Sequence, residues 1–258
     1  KKGGNIMNVK ERIAKLREQM KEKGMDVYIV PTADFHQSEY VGEYFKARKF
    51  MTGFSGSAGT AVFTATEARL WVDGRYFIQE AAQIEGPTVE MMKMGEPGVP
   101  TIDEYLKTAI PENGTLGFDG RVVAMGDGLR YEKIVKEKKG SIVYSYDLVD
   151  AIWEKRPELS KEPAFALEDK YTGETTESKL KRIREYMKEC EATVHVLTTL
   201  DDICWTLNMR GNDIEFFPLV LSYAIITMDQ MHLYIEQEKL SDTMQASFAQ
   251  DGIILHAY

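Results

Sequence analysis

The chain has 258 residues, of which 43% are hydrophobic and 28% charged, and its formal net charge at pH 7 is −9. This composition is ordinary for a globular protein, and the length suits one large domain or two smaller ones. The negative charge argues against a duplex-binding surface, because neutralising phosphates requires clustered Lys and Arg. No apolar run approaches the roughly 20 residues needed to cross a bilayer. The sequence therefore predicts neither a nucleic-acid partner nor a membrane partner.

The first helix is predicted from its capping signals. Asn8 is a plausible N-cap with Glu11 three residues further on, a variant of the capping box. Apolar residues then recur every three or four positions, and Gly24 is well placed to end the helix, because glycine accepts the left-handed conformation beyond a C-terminus. Residues 27–30 form a short β-branched run without polar alternation, which predicts a strand covered on both faces.

The remaining elements continue an α/β pattern. A predicted hairpin pairs residues 59–63 with 70–72, and a second pairs 221–226 with 233–235. Between the hairpins, helices are expected at 75–84, 102–110, 125–139 and 148–153, and strands at 88–91, 115–118 and 141–144. The last predicted strand spans residues 252–256, and no helix follows to cover it.

An internal repeat organises these elements. Two passages of the chain align without a gap at an offset of 167 residues. The first is L-R-E-Q-M-K-E (16–22), followed by the strand 27–30 and Asp34. The second is I-R-E-Y-M-K-E (183–189), followed by the strand 194–197 and Asp201. Residues 156–163 carry two prolines and alternating charges, the best linker candidate in the chain. We therefore expect two related domains, residues 7–158 and 164–258, with the second truncated at its C-terminus.

The histidines and cysteines do not suggest a catalytic centre. A hydrolytic metal site needs several converging His, Asp or Glu ligands, whereas the four histidines show no i,i+4 pair. His195, His232 and His256 fall in predicted strands and are interpreted as packed core residues. His36 lies in a polar loop, where helix capping is favoured over a functional contact. Cys190 and Cys204 are predicted to be buried free thiols, as expected in a reducing compartment.

Three local patterns allow both a structural and a functional interpretation. The glycines of 53–59 (G-F-S-G-S-A-G) match neither a nucleophile elbow nor a phosphate loop, so a tight turn into the hairpin is favoured. Asp201, next to Asp202, is interpreted as an N-cap. At the end of the first hairpin, a strand ends at Asp73, Gly74 makes the turn, and Arg75 begins a helix. An arginine there could present a forked cation to a carboxylate, or Asp73 could be a helix cap beside a solvated arginine, and spacing alone does not decide.

Seven motifs of the chain are specific in combination. They are D-F-H-Q-S-E-Y (34–40), F-S-G-S-A-G-T (54–60), W-V-D-G-R-Y-F (71–77), M-K-M-G (92–95), Y-T-G (171–173), L-D-D-I-C-W-T-L-N-M-R-G (200–211) and S-Y-A (222–224). Together they resemble motifs of the long, three-domain Xaa-Pro aminopeptidases, and they cover nearly the whole chain in that family's order.

The resemblance implies an α/β fold of two creatinase/prolidase N-terminal-type domains, each a mixed β-sheet flanked by helices. It also implies a pita-bread catalytic domain, absent from this chain, that holds two divalent metal ions, usually manganese. No catalytic and no metal-ligating residue is therefore assigned here. By resemblance the residues expected near substrate are Arg75, Asp73, Tyr76, His36, Asn208 and Arg210. Where relatives often have a His-Asn pair before a proline, this chain has Glu215, Phe216 and Phe217.

The expected function is that of a non-catalytic region of a cytoplasmic enzyme. The full protein would remove the N-terminal residue that precedes proline in a peptide, and this region would shape the active-site entrance and the subunit contacts of a homo-oligomer. The expected partners are its own catalytic domain and peptides with proline at the second position. The alternatives are a free-standing peptide-binding module and an assembly module without catalytic activity.

Overall fold

The structure is a computed structural model, and it describes residues 7–84 and 88–258. Contacts divide the chain into two compact units, each described by itself: unit 1 comprises Lys1–Glu39 and Tyr44–Pro157, and unit 2 comprises Tyr40–Glu43 and Glu158–Tyr258. The α/β fold class predicted from the sequence is confirmed, since each unit contains a mixed sheet and helices.

Unit 1 is built on a six-stranded sheet with the strand order β4-β3-β2-β1-β5-β6. Strand β1 pairs antiparallel with β2 and parallel with β5, which makes the sheet mixed. In chain order its helices and strands are α1 (Val9–Glu22), β1 (Val27–Pro31), α2 (Ala47–Thr52), β2 (Thr60–Thr64), β3 (Ala68–Val72), α3 (Phe77–Gln83), β4 (Glu90–Lys93), α4 (Ile102–Ala109), β5 (Thr115–Phe118), α5 (Met125–Glu137) and β6 (Ser141–Val143).

The first helix forms as its capping signals predict. The side chain of Asn8 accepts a hydrogen bond from the backbone N–H of Glu11 (3.0 Å), and the Glu11 carboxylate accepts one from the backbone N–H of Asn8 (2.8 Å). Gly24 follows the helix with a φ of +67°, the left-handed conformation that its position requires. Ile13, Leu16 and Met20 form the buried face.

Strand β1 is covered on both faces because its side chains alternate between two apolar clusters. Tyr28 and Val30 belong to the cluster that includes the buried face of α1. Val27 and Ile29 belong to the cluster formed with α4 and α5. The prediction of a strand buried on both faces is therefore confirmed, and it places the core of unit 1 in two layers about the sheet.

Unit 2 repeats the first half of this plan. Its four-stranded sheet has the order β12-β11-β10-β8, with β10 antiparallel to β8 and β11 and with β12 parallel to β11. A two-stranded sheet pairs β7 with β9. The elements are β7 (Phe165–Ala166), α6 (Asp169–Thr172), α7 (Thr176–Glu189), β8 (Val194–Leu197), α8 (Leu200–Thr206), β9 (Met209–Arg210), β10 (Ser222–Thr227), β11 (Met231–Ile235), α9 (Asp242–Gln250) and β12 (Ile253–His256).

The predicted repeat appears in three dimensions as equivalent hydrogen bonds. Helix α7 starts and ends 167 residues after α1. The Nε of Arg17 donates to the backbone carbonyl of Thr64 at 2.9 Å, and the Nε of Arg184, 167 residues later, donates to that of Thr227 at the same distance. In each unit an arginine of the repeated helix, α1 or α7, therefore ties that helix to the end of the strand preceding the hairpin turn.

The two copies differ on one face of the sheet. Val27 and Ile29 are buried, whereas Val194 and Val196, 167 residues later, have 51% and 58% of their surface exposed. Described unit 2 has no counterpart of α4, β5 and α5, the elements that cover this face in unit 1. His195, on the edge strand β8, is also exposed, so the prediction that it is a packed core residue is wrong.

Three further sequence-based predictions are wrong. Residues 148–152 form turns rather than a helix, although the carboxylate of Asp147 accepts the N–H groups of Val149 and Asp150. Helix α8 has Thr199 as its N-cap residue, so Asp201 lies inside the first turn. Cys190 is exposed at the end of α7, whereas Cys204 is buried as predicted.

Candidate functional site

The predicted corner after β3 is a turn whose backbone is held by Asp73. The N–H of Tyr76 donates to the Asp73 carbonyl (3.0 Å), and the N–H of Arg75 donates to Oδ1 of the Asp73 side chain (3.1 Å). Helix α3 begins at Phe77, with Tyr76 as its N-cap residue, so Arg75 lies in the turn rather than at the start of the helix. The prediction that Arg75 begins a helix is corrected accordingly.

Arg75 presents its guanidinium at the surface in a bidentate pair with Asp73. Its Nε donates to Oδ1 and its Nη2 to Oδ2, both at 2.8 Å. The side chain of Arg75 is 65% exposed, and that of Asp73 is 38% exposed. These charge-assisted hydrogen bonds lower the pKa of Asp73 to about 2, so the carboxylate is ionised at any physiological pH. The fork of Arg75 is thus paired with the carboxylate of Asp73 in the same turn, and Tyr76 rather than Asp73 is the N-cap residue of α3.

His36 lies in the loop after β1, close to a buried carboxylate. Its backbone N–H donates to Oδ1 of Asp34 at 2.8 Å, and the N–H of Ser38 donates to the same oxygen at 2.9 Å. Asp34 is fully buried and His36 is 5% exposed. No helix begins in residues 32–42, so the predicted helix-capping role of His36 is wrong. A turn organised by the Asp34 side chain takes the place of the cap.

Asn208 in unit 2 is a buried residue whose amide is held by three neighbours. It has a φ of +48°, a conformation that asparagine tolerates better than most residues. Its Oδ1 accepts a hydrogen bond from Nζ of Lys179 at 2.5 Å, and its Nδ2 donates to the carbonyl of Glu174 at 2.8 Å and lies 3.4 Å from Oδ1 of Asp169. Burial lowers the pKa of Lys179, whose ammonium also donates to a backbone carbonyl.

Arg210 lies two residues further along the chain, in β9. Its Nη1 donates to the backbone carbonyls of Cys204 (3.0 Å) and Met209 (2.8 Å), and the residue is half-buried. The departure from the resembled motif lies nearby in sequence: Phe216 has a φ of +62° and is 97% exposed. Asn208 and Arg210 are therefore both hydrogen-bonded to other residues of unit 2.

Two charged residues of unit 1, Arg48 and Glu80, are buried without having been predicted from the sequence. Arg48 is 3% exposed and Glu80 is fully buried. The available signal was helical spacing, since Arg48 precedes the buried residues Met51 and Thr52 by three and four positions in α2. A charged residue on the apolar face of a short helix indicates a buried ion that needs partners.

The described residues lack a cluster of metal ligands. Residues 7–84 and 88–258 contain no group of three or more His, Cys, Asp or Glu placed to hold a metal ion. His232 and His256 come together, with Nδ1 of the former 2.9 Å from Nε2 of the latter, on the neighbouring strands β11 and β12. Both are half-buried rather than packed in the core as predicted. The described residues do not supply the donor set of a di-metal site.

No helix in the described part of the chain is both long enough and apolar enough to span a membrane.

The fold defines the chain as a tandem of two related mixed α/β domains. Models of the creatinase/prolidase N-terminal domain match both copies, one over residues 12–152 and the other over residues 155–258. The chain belongs to the creatinase/prolidase N-terminal domain family.

Several relatives that match both copies are Xaa-Pro aminopeptidases. A probable Xaa-Pro aminopeptidase P from Pyricularia oryzae is 37% identical over 98% of this chain and 41% of its own length, and one from Laccaria bicolor is 39% identical over 93% of this chain and 38% of its own length. The crystal structure of X-prolyl aminopeptidase from Caenorhabditis elegans, described as a cytosolic enzyme with a di-nuclear active site, matches with a TM-score of 0.92 and 35% identity. That match covers 98% of this chain and 43% of the nematode chain.

The chain thus spans about two fifths of the length of the relatives that it matches. The matched stretch consists of the two N-terminal-type domains, and the other three fifths of each relative lie outside it. The recognition made from the sequence motifs is confirmed at the level of the family.

Proposed function

We propose that this chain forms the non-catalytic N-terminal region of a cytoplasmic, metal-dependent Xaa-Pro aminopeptidase. The full protein would release the N-terminal residue that precedes proline in a peptide. The observation that carries the proposal is the match to the nematode X-prolyl aminopeptidase, with a TM-score of 0.92 over 98% of this chain. The two divalent ions, proposed to be manganese, would belong to a catalytic domain outside this chain.

Within this region, Arg75 is the residue proposed to face the active-site cleft. Its guanidinium is exposed and oriented by Asp73, as recognition of a peptide carboxylate requires. By the same family resemblance, Tyr76 and His36 in unit 1 and Asn208 and Arg210 in unit 2 are proposed to lie near substrate. The amide of Asn208 is bonded inside unit 2, so it would act by fixing the backbone around it.

The test compares this chain with the full-length gene product on an Arg-Pro-Pro tripeptide with added manganese. We expect no release of arginine by the chain and release by the full-length protein. Release by the chain alone would refute the non-catalytic assignment.

A second assay distinguishes an entrance role from a pure assembly role. In the full-length protein, Arg75→Ala should raise KM for the tripeptide, with Lys23→Ala as the control for loss of a surface cation that forms an exposed ion pair. Unchanged kinetics in both variants, together with an unchanged oligomeric state, would reject the entrance role of Arg75. Unchanged kinetics with an altered oligomeric state would favour the assembly role.

A further inference from the structure

A buried arginine, Arg48, holds the glycine loop (residues 53–59) through hydrogen bonds to its backbone. The Nε of Arg48 donates to Oγ1 of Thr32 at 2.9 Å, its Nη1 donates to the carbonyl of Phe54 at 2.5 Å, and its Nη2 donates to the carbonyl of Gly56. The guanidinium carbon also lies 4.8 Å from the centre of the Phe54 ring. One cation therefore fixes the carbonyl groups of two residues of the loop, Phe54 and Gly56.

Gly56 is the point at which this loop presses on two aromatic rings. A Cβ atom at this position would lie 2.2 Å from Cζ of Phe54 and 2.9 Å from Cδ1 of Tyr76, closer than real Cβ atoms come. The two rings meet edge to face, with centroids 5.6 Å apart. The absence of a side chain at Gly56 is what lets the loop lie directly against Tyr76.

The glycine loop is also hydrogen-bonded to both ends of α3. At the start of the helix, Oγ of Ser57 and the hydroxyl of Tyr76 lie 2.6 Å apart. At its end, Oε1 of Gln83 accepts from the backbone N–H of Ser55 at 2.9 Å, and Nε2 of Gln83 donates to Oγ of Ser55 at 2.9 Å. The Tyr76 ring is therefore held by Ser57 at its hydroxyl and by contact with the Phe54 ring. The helix that follows Tyr76 is tied to the same loop through Gln83.

Tyr76 in turn supports the exposed guanidinium. The guanidinium carbon of Arg75 lies 5.0 Å from the centre of the Tyr76 ring, within the range of a cation–π contact. Asp73 holds the Nε and Nη2 atoms of the same group. Asp73 thus holds the guanidinium of Arg75 through two hydrogen bonds, and the ring of Tyr76 contacts it through a cation–π interaction.

We propose that Ser57 and Tyr76 are positioning residues for Arg75. The Ser57 hydroxyl holds the Tyr76 ring, and the ring holds the guanidinium in the orientation that Asp73 sets. The relevance of this device to peptide recognition rests on the proposed function of Arg75, whereas its mechanical part can be tested on this chain. Loss of one such hydroxyl contact weakens an arrangement by about fivefold, the ordinary worth of a single hydrogen bond.

The mechanical test follows Arg75 itself by NMR of its side-chain Nε–Hε group in the 258-residue chain. In Ser57→Ala we expect hydrogen exchange at this group to become about fivefold faster, and in Ser57→Thr, which keeps a hydroxyl, to return towards the original rate. Tyr76→Phe keeps the ring and should resemble Ser57→Ala. Unchanged exchange at Arg75 in both Ser57→Ala and Tyr76→Phe would overturn the proposal.

A matched control comes from another tyrosine of unit 1. The hydroxyl of Tyr105 donates to Oε2 of Glu67 at 2.6 Å, and its ring lies 4.5 Å from the guanidinium carbon of Arg69. Tyr105→Phe therefore removes an equally short hydrogen bond from a tyrosine that contacts a different arginine, Arg69. We expect it to leave the rate of hydrogen exchange at the Nε–Hε group of Arg75 unchanged. A change at Arg75 in this variant would show a general loosening of the domain and count against a specific role for Ser57.

Kinetics of the full-length protein separate the two proposals. We expect Ser57→Ala to raise KM by about fivefold with little change in kcat, and to have no added effect once Arg75 is replaced by alanine. If Arg75→Ala leaves KM unchanged while Ser57→Ala still speeds exchange at Arg75, the proposed function of Arg75 fails and the positioning device stands. If exchange is unchanged while Arg75→Ala raises KM, the positioning proposal fails alone.

Discussion

Glu80 should make the stability of unit 1 depend on pH. Its side chain is fully buried in α3, and neither carboxylate oxygen accepts a hydrogen bond from a described residue. Burial raises its pKa from an ordinary 4.5 to about 7, even though the charges of Arg48 and Lys93 act in the opposite direction. An ionised carboxylate is stabilised better by water than by this site, so the folded protein retains the proton.

The sign and size of the effect follow from that pKa. Between about pH 4.5 and 7 the folded state keeps the Glu80 proton, whereas the unfolded chain has lost it. The free energy of unfolding therefore decreases as pH rises through this window, and the loss is complete above about pH 7. At ~1.4 kcal/mol for each pH unit, the full effect is about 3 kcal/mol. Glu80→Gln keeps the shape and carries no charge, so it should remove this decrease.

The assay is urea denaturation at pH 5, 6, 7 and 8, followed by tryptophan fluorescence. In a Trp205→Phe background the remaining tryptophans, Trp71 and Trp153, both lie in unit 1, so the signal reports on that unit. We expect Glu80→Gln to gain about 3 kcal/mol relative to the parent between pH 5 and pH 8. Glu18→Gln, at an exposed position of α1, controls for the loss of one negative charge. A constant difference between Glu80→Gln and its parent at all four pH values would refute the reasoning.

Three further predictions concern core packing, a helix cap and a buried ion pair. Leu106 is fully buried beneath the sheet, so Leu106→Ala should lower the free energy of unfolding by about 2–5 kcal/mol in urea, and a loss below 1 kcal/mol would contradict that burial. Thr101→Ala removes the capping box of α4 and should cost about 1 kcal/mol in the same assay, whereas Thr101→Ser should cost little. The Lys239–Asp213 ion pair is buried at 2.6 Å, so Lys239→Met alone should cost about 3–5 kcal/mol. The double variant with Asp213→Leu should recover much of that loss, and equal losses in the two variants would be evidence against a paired charge.

The elements that the sequence predicts well are those whose signals are local. Asn8, Glu11 and Gly24 mark the two ends of α1 through their own backbone hydrogen bonds and φ angle, so no knowledge of the rest of the fold is needed. The repeat could be detected because the same helix ties the same strand end in each copy, through Arg17 and Arg184.

The failed predictions concern burial, which depends on distant elements. His195 was predicted to be buried from its place in an apolar strand, but it lies on an edge strand and is exposed. Conversely, Arg48 and Glu80 have polar side chains yet lie inside, because the glycine loop offers Arg48 two carbonyls and α3 turns Glu80 inwards. Sequence periodicity reports which face of an element a residue occupies, and only the assembled fold determines what covers that face.

The corner after the hairpin shows how the two copies have diverged. In unit 1 the segment following β3 presents Arg75 to solvent, paired with Asp73 from the same turn. In unit 2 the segment following β11 carries Lys239, 3% exposed and paired with a buried Asp213 from an earlier part of the chain. Both segments carry a cation. Lys239 in unit 2 forms a buried ion pair, whereas Arg75 in unit 1 is exposed on a turn that the glycine loop contacts. A domain needs only the buried ion pair of unit 2 for its own stability. The exposed arginine of unit 1 is therefore the one for which a role in binding has to be sought.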